Sequence, residues 1–368
     1  MPTKLHCRYI FIVFALVCSE STVNAQFRKI VTIAGDGQTG ELRQQGRAQE
    51  ISVTNPFGMA VEADGDVIIA AYDQHVLYRL DSTYSKLQVV AGSGKKGMTG
   101  KDGDYATSVE MNMPHEVQVD RLGNIYVADT MNHRVGMIEA STGRWKNIAG
   151  NGQAGYAGDG GLAAEATLNQ AYSIALEGEQ LFVADLKNHR IRKVDLRSGK
   201  IVTICGTGEN KMPTDGGLAI EQSLAGPRSL AVDKDNLWIV LREGNSVWRL
   251  DRADDRLYHV AGSGVKGFSG DGQDAKLATF NGPKGIAVET GHCIYIADTE
   301  NHAIRRVAFD SGKISTVVGS PTGEAGFSGD GDQLHKRLLR RPHGVLLLDS
   351  GELLIGDSEN HRVRMLVP

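Results

Sequence analysis

The sequence has few of the features that mark many common protein classes. Its 368 residues include nine prolines and four cysteines, and aromatic residues make up 6% of the chain. The 40 basic and 44 acidic residues are mixed along the chain, so no charged run favours nucleic acid or an anionic membrane surface as a partner. We find no Ser-His-Asp spacing, nucleophile elbow or Walker loop. The commonest signatures of a hydrolase or a nucleotide-binding protein are therefore missing.

Long apolar runs are also missing, apart from one short run near the N-terminus. Lys4 and Arg8 precede this run. The run extends from Tyr9 to Val17, which is about half of the ~20 residues that a spanning helix needs. Small or modest residues at Val23 and Ala25 fit signal-peptidase cleavage before Gln26. We expect residues 1–25 to be a signal peptide and the mature chain to have no stable membrane span. The protein would then be secreted, as an extracellular protein or, in a bacterium, a periplasmic one.

Glycine is abundant, with 45 copies, which indicates many turns. The glycines punctuate one pattern, written for example NGPKGIAVETGHCIYIADT, that recurs six times with starts 56 to 59 residues apart. Each copy holds four short segments of alternating or β-branched residues, as expected for four strands. Four strands at this period indicate one blade of a β-propeller. The innermost strands of the six blades should begin near residues 56, 114, 171, 227, 283 and 342.

The two ends of the chain complement each other. The last copy stops after its third strand at HRVRMLVP, and the missing fourth strand, RKIVTIAG, lies at residues 28–35. We therefore predict an all-β fold, a six-bladed β-propeller over residues 26–368, in which an N-terminal strand completes the last blade and removes an open sheet edge. Cys205 and Cys293 lie at non-equivalent points of different copies, which predicts two buried thiols rather than a disulfide.

Two polar positions recur with the period of the repeat. An aspartate twelve residues before the inner strand precedes a short helical turn, and we interpret it as a hydrogen-bond acceptor for that turn. Calcium is the alternative, because this position forms acidic pairs at Asp102/Asp104 and Asp330/Asp332. A histidine in the turn between the second and third strands is interpreted as part of local packing. The aspartates are Asp102, Asp159, Asp215, Asp271 and Asp330, and the histidines are His75, His133, His189, His302 and His361.

The copies ADTMNHR, ADLKNHR, ADTENHA and GDSENHR carry a family resemblance. With the preceding N-x-P-x-G-I-A-V pattern they resemble the NHL repeat, and the resemblance covers residues 27–368. It implies a six-bladed propeller closed by an N-terminal strand. Members of this family include non-catalytic binding surfaces in ubiquitin ligases, teneurin-like adhesion proteins and extracellular sensor domains of bacterial receptor kinases. They also include an enzyme branch, the peptidyl-amidoglycolate lyases, and more distantly the gluconolactonase-type propellers.

Strand connectivity predicts where a ligand would bind. The turns between second and third strands and the long connectors between blades lie on one face, which we call the connector face. The residue after each inner-strand start lies beside the axis on that face, where propellers usually have a pocket. These six residues, which we call the axial ring, are Phe57, His115, Tyr172, Arg228, Lys284 and His343. We predict that all of them except Phe57 bind a ligand, and the two cations suit an anionic group. A water-filled channel is the open alternative.

The resemblance to the lyase branch implies a metal alternative. It makes His115 and His343 candidate zinc ligands, but a catalytic zinc needs three protein ligands and a third is missing. Glu116 is expected to point away, because neighbours alternate along a strand. A metal-dependent lyase or lactonase-like hydrolase, with zinc or calcium, is thus the alternative function, and no cofactor is the first expectation.

Blade 4 departs from the repeat. Leu241 and Asn245 replace the aspartate and the histidine of the motif, and Arg242 lies between them. We interpret Trp238 and Trp248 as core residues and Arg242 as a candidate for surface interaction. Together these features favour a secreted, monomeric, non-catalytic scaffold that binds a protein or a glycan, while enzyme status stays open.

Overall fold

A computed structural model describes residues 27–368, so the expected signal peptide lies outside the described residues. This part of the chain forms six antiparallel sheets and no α-helix, and its only helices are single 3-10 turns. No helix within residues 27–368 has the length and apolarity required to cross a membrane. The predicted all-β propeller with six blades is confirmed.

The blades are numbered in the order in which their inner strands occur along the chain. Blade 1 contains β2 (Gln45–Arg47), β3 (Pro56–Val61), β4 (Val67–Ala71), β5 (Val76–Leu80) and β6 (Lys86–Ala91). Blade 2 contains β7 (Pro114–Val119), β8 (Ile125–Asp129), β9 (Arg134–Ile138) and β10 (Trp145–Ala149). Blade 3 contains β11 (Ala171–Glu177), β12 (Gln180–Asp185), β13 (Arg190–Asp195) and β14 (Lys200–Cys205).

The second half of the chain repeats this order. Blade 4 contains β15 (Gly217–Leu218), β16 (Pro227–Val232), β17 (Asn236–Leu241), β18 (Ser246–Asp251) and β19 (Arg256–Ala261). Blade 5 contains β20 (Gly285–Glu289), β21 (Cys293–Asp298), β22 (Ala303–Ala308) and β23 (Ile314–Val318). Blade 6 contains β24 (Val345–Leu347), β25 (Leu353–Asp357), β26 (Arg362–Val367) and, from the N-terminal end, β1 (Lys29–Ala34).

The 3-10 turns lie at two places in the repeat. Those in the connectors are Ala48–Glu50, Ala106–Ser108, Ala163–Glu165, Ala219–Glu221, Ala275–Leu277 and Leu334–Lys336. Those between second and third strands are Tyr72–Gln74, Thr130–Asn132, Leu186–Asn188, Thr299–Asn301 and Ser358–Asn360.

The closure of the ring follows the prediction. Strand β1 pairs antiparallel with β26, with Lys29 opposite Val367 and Thr32 opposite Arg364. Apolar side chains of each blade pack against the next blade, and Ile30 is fully buried in the cluster between blades 5 and 6. The sheet edge of the last blade is thereby covered by the other end of the chain.

Three details differ from the sequence prediction. The inner strands of blades 5 and 6 begin at Gly285 and Val345, two or three residues later than expected. The sheets of blades 1 and 4 each gain a short fifth strand on the outer edge, because their connectors pair with β6 and β19. The recurring aspartates do not cap the connector turns. They bind the outer half of their own blade instead, as Asp159 does with Arg192 at 2.6 Å.

The recurring histidines act between blades rather than only within their own turn. Each lies in the left-handed region, with φ between 50° and 58°. In four cases Nδ1 accepts a hydrogen bond from a backbone N–H that enters the next blade. The donors are Met113 to His75 (3.2 Å), Gln170 to His133 (3.0 Å), Arg341 to His302 (3.1 Å) and Asn55 to His361 (3.3 Å). In blade 4, Asn245 Oδ1 replaces the imidazole and accepts from the N–H of Gly282 at 2.9 Å.

The remaining predictions about the core are confirmed. Cys205 and Cys293 are buried free thiols. Trp238 and Trp248 are both buried within blade 4 and its interfaces.

Candidate functional site

The axial ring is assembled as predicted, and its side chains pack directly against one another. The Phe57 ring stacks on the His343 ring with their centroids 3.9 Å apart, and the centroids of the His115 and Tyr172 rings are 3.6 Å apart. The guanidinium of Arg228 lies over the Tyr172 ring at 4.5 Å. Five of the six residues that make the ring, all except Arg228, are only 3 to 8% exposed. The ring therefore closes the axis at the connector face.

Lys284 and His343 form a buried pair inside this ring. Lys284 Nζ lies 3.1 Å from His343 Nε2, and His343 Nδ1 lies 3.0 Å from the carbonyl oxygen of Arg341. A neutral imidazole fits both contacts when Nδ1 donates to the carbonyl and Nε2 accepts from the ammonium. Burial, followed by the charge of Lys284, holds the pKa of His343 well below its usual value.

His115 has no polar partner among the described residues. Both Nδ1 and Nε2 are buried without a hydrogen bond, although a neutral imidazole offers one donor and one acceptor. Burial, followed by the charges of Arg228 and Lys284, holds the pKa of His115 well below its usual value. An unpaired buried polar group is costly, so a solvent molecule or ligand atom at this ring would be stabilised here.

A chain of alternating charges surrounds the ring on blades 4, 5 and 6. Glu243 pairs with Arg228 at 3.0 Å and with Arg242 at 3.3 Å. Glu300 continues the chain, with Lys284 at 3.4 Å and Arg341 at 2.8 Å. Although burial opposes it, hydrogen bonds from Arg341 and the charge of Lys284 lower the pKa of Glu300 to about 2.

Arg242, proposed from sequence as a surface residue, belongs to this charge chain. Its side chain is 30% exposed and pairs with Glu243 and Glu300, while its Nε has no partner in the described part of the chain. The second residue of the turn after strand two is glutamate in blades 4, 5 and 6, at Glu243, Glu300 and Glu359. That repeated glutamate is the sequence signal that would have revealed the charge chain.

The buried lysine should titrate near neutrality. Burial, followed by the charge of Arg341, lowers the pKa of Lys284 from 10.5 to about 7. The folded protein then binds fewer protons than the unfolded chain between these two values, so its free energy of unfolding rises with pH across that window. We expect Lys284→Met to remove a rise on the order of 2 kcal/mol between pH 7 and 9.5, measured by urea unfolding.

Lys276→Met is the control for this measurement, because the Lys276–Asp215 ion pair is largely exposed. In 13C-lysine NMR one ammonium should titrate near pH 7 and disappear in Lys284→Met. A spectrum in which every lysine titrates above pH 9 would contradict the assignment.

Glu116 does not point away from the axis, in contrast to the sequence expectation. The register between β7 and β8 shifts between Pro114 and Val117, and this β-bulge breaks the alternation of side chains. His115 and Glu116 therefore both face the axis, His115 in the ring and Glu116 beneath it. The carboxyl group of Glu116 lines a cavity of about 210 Å³ that continues along the axis, which we call the axial cavity.

The residues do not fit a catalytic zinc. The rings of His115 and His343 lie 6.1 Å apart, but His343 Nε2 already contacts the Lys284 ammonium, and two cations face His115. Among residues 27–368 only Glu62, Asp64 and Asp66 bring three candidate ligand atoms together, and Glu62 pairs there with Arg79. The aspartate positions considered for calcium are engaged by protein donors, for example Asp330 by Thr32 and Arg364. Metal binding stays an untested alternative.

Comparison with known proteins locates repeats of one family within this fold. The family model of the NHL repeat matches residues 111–136 and 339–365, and the model of the teneurin NHL domain matches residues 262–326. The chain is 27% identical to NHL repeat-containing protein 2 of Gallus gallus over 285 residues, covering 69% of this chain and 38% of that protein. It is 26% identical to Teneurin-4 of Mus musculus over 366 residues, covering 89% of this chain and 13% of that protein.

The chain therefore spans well under two thirds of the length of these relatives. Among solved structures, an auxiliary nutrient binding protein from Bacteroides ovatus shares the fold, with a TM-score of 0.67 and 15% identity over 93% of this chain and 77% of that one. The two segments that match the NHL repeat, residues 111–136 and 339–365, lie in blades 2 and 6 of the six-bladed β-propeller.

Proposed function

We propose that this NHL propeller is a secreted, non-catalytic scaffold that binds a protein or glycan partner across its connector face. The observation that carries the proposal is a second ring of side chains on that face. Each connector places one apolar residue, 14 to 18 residues before the inner strand, over the blade that follows. These residues are Leu42, Met98, Tyr156, Met212, Phe268 and Phe327.

Four of these side chains remain substantially exposed, and they surround the axis rather than forming one core. Met98 is 48% exposed, and Tyr156, Met212 and Phe327 are between 40 and 44% exposed. Large exposed apolar groups that recur on one face are typical of interaction surfaces. Because they recur at one position of the repeat around the axis, we call these six residues the belt.

Arginine side chains extend this belt with polar and cationic surface. The Arg190 guanidinium lies 3.9 Å from the Tyr156 ring, and that of Arg362 lies 4.0 Å from Phe327. Both arginines donate to backbone carbonyls, as Arg362 does to Asp36, and form no ion pair with a carboxylate within residues 27–368. Aromatic and arginine side chains in contact are characteristic of binding hot spots, which favours a protein partner over a glycan.

The metal-dependent lyase or hydrolase is the weaker candidate. The observation that favours a chemical role at the axis is His115, whose two ring nitrogens have no partner within residues 27–368. Likeness of fold does not transfer an activity, because unrelated functions share the propeller architecture. Metal analysis of the purified protein tests this alternative directly: stoichiometric zinc lost in His115→Ala would support the enzyme over the scaffold.

The scaffold proposal is tested with the full chain carrying a C-terminal tag. We expect the protein in the medium of secreting cells, with an N-terminus at Gln26, and binding of purified extracellular proteins or arrayed glycans. Met98→Ser combined with Phe327→Ser should weaken such binding at least tenfold, because it removes two exposed members of the belt.

The matched control is Leu122→Ser, since Leu122 is 81% exposed in a turn on the opposite face. Equal weakening by Leu122→Ser and by the double variant would contradict a connector-face site. Retention of the protein inside the cell, with residues 1–25 intact, would contradict the secreted setting.

A further inference from the structure

We propose that the axial cavity is a second binding site, independent of the connector face, and that it takes a small alkylammonium ligand with its ammonium group against Glu116. The cavity begins beneath the axial ring and runs along the inner strands towards the opposite face. It is separate from the belt described above, so failure of one site leaves the other intact.

The walls of the axial cavity are largely aliphatic. They include Met59, Ala175, Leu176, Val232, Val288 and Leu347. Its volume of about 210 Å³ suits a short alkyl chain, and transfer of such a chain from water stabilises binding by roughly 0.8 kcal/mol per buried CH₂ group. The only other polar side chains of its lining are those of Gln118 and Ser229.

The carboxyl group of Glu116 lies at the closed end of the axial cavity. Its hydrogen-bond donors are the backbone N–H of Val117 at 3.3 Å and the Ser173 hydroxyl at 3.5 Å, both long contacts. Within residues 27–368 no lysine or arginine forms an ion pair with it. A carboxyl group surrounded by apolar side chains and lacking a cation is complementary to a cationic ligand head.

The packing of the inner strands makes room for this carboxyl group. A Cβ atom at Gly58 would lie 2.2 Å from Glu116 Oε1, so only glycine leaves this space free. Gly285 and Gly344 allow equally close approach of neighbouring inner strands, each with a carbonyl oxygen 1.9 Å from the position of a Cβ. The glycines thus narrow the closed end of the cavity around the Glu116 carboxyl group.

The opposite end of the axial cavity reaches partly exposed residues. Leu176, Val232, Val288 and Leu347 lie at the ends of their inner strands and are only partly buried. From Gly285 to Val288 the strand advances three residues, or about 10 Å at the ~3.3 Å rise per residue. A linear ligand would enter at this end and place its charged head deepest, with its alkyl chain along the strands.

Binding of the ligand's ammonium group should also change the protonation state of the Glu116 carboxyl group. Burial raises the pKa of Glu116 from 4.5 to about 8, so the carboxyl group is largely protonated at pH 7. An ammonium group in contact with it favours the ionised form, and a proton is released on binding. This release is a readout that simple filling of an apolar cavity does not produce.

Isothermal titration calorimetry with hexylammonium at pH 7, in phosphate and in HEPES buffer, tests the proposal. We expect one site on the wild-type protein, with a binding enthalpy that depends on the ionisation enthalpy of the buffer. Glu116→Gln should weaken hexylammonium at least tenfold and abolish the buffer dependence. Hexanol and hexanoate, which lack the cation, should bind at least tenfold more weakly than hexylammonium.

Glu324→Gln is the matched control, because Glu324 is an exposed glutamate in a connector. Val288→Trp, which fills the open end and leaves Glu116 intact, should also abolish binding and serves if Glu116→Gln does not fold. No saturable binding of hexylammonium, equal affinity in Glu116→Gln, or equal affinity for hexanol would overturn the proposal.

Discussion

Replacing Ile30 with aspartate is expected to destabilise the propeller by at least about 4 kcal/mol, a large part of the 5–15 kcal/mol typical of folded domains. Ile30 is fully buried, and its N–H and carbonyl groups bond to Gly331 at 2.9 Å each. An aspartate there would place an unpaired carboxylate in the cluster between blades 5 and 6. Urea unfolding followed by tryptophan fluorescence measures the loss.

Lys29→Asp provides the control in the same strand. Lys29 is exposed, and its neighbour Ile30 points into the core, because side chains alternate along β1. We expect Lys29→Asp to change the free energy of unfolding by no more than about 0.5 kcal/mol. If both variants behave alike, β1 does not close the ring.

Replacing Arg305 with methionine is expected to cost about 3–5 kcal/mol. Arg305 is fully buried, lies 3.4 Å from Asp298 and 2.8 Å from Asp271, and donates to the carbonyl oxygen of Ser269. Without it the buried Asp298 loses its cation, although burial already raises the pKa of Asp298 to about 7. The decrease in the free energy of unfolding should be smaller at pH 5 than at pH 8, because Asp298 can be protonated at pH 5.

Arg197→Met is the comparison for this experiment. The Arg197–Glu179 pair has a similar length, 2.9 Å, but both side chains are mostly exposed. Exposed pairs contribute about 0–1 kcal/mol, so this variant should remain close to the wild type at either pH. A cost for Arg305→Met that is equally small would show that the buried pair is dispensable.

Every blade that has the buried aspartate pairs it with an arginine, and in blade 2 that arginine is Arg134, because Gly136 occupies the usual arginine position. Blades 3, 5 and 6 have both the aspartate and the arginine, and these are Asp185/Arg192, Asp298/Arg305 and Asp357/Arg364. Blade 4 has neither, and Leu241 and Trp248 occupy the two positions as buried apolar residues. A buried pair replaced as a whole by well-packed apolar side chains is tolerated, whereas loss of one partner is not.

The histidine positions show how far reasoning from the sequence could go. Their recurrence in five copies indicated a structural role, and four of the five accept a hydrogen bond from the next blade. The acceptor role of His133 Nδ1 for the N–H of Gln170 was missed, because those atoms are 37 residues apart and meet only when blades 2 and 3 pack together. Asn245 confirms this role, since its amide oxygen makes the equivalent bond to Gly282.

By itself the sequence determined the repeat, the six blades, the closing strand and the identity of the axial ring. All four follow from periodicity, because an element that recurs every 56 to 59 residues must occupy equivalent places around an axis. The tertiary structure alone decided that the ring closes the axis and that Glu116 faces the cavity beneath it. The ring closes because side chains from different blades pack on one another, as Phe57 does on His343. Glu116 faces the cavity because the bulge after Pro114 interrupts the two-residue alternation on which a sequence argument depends.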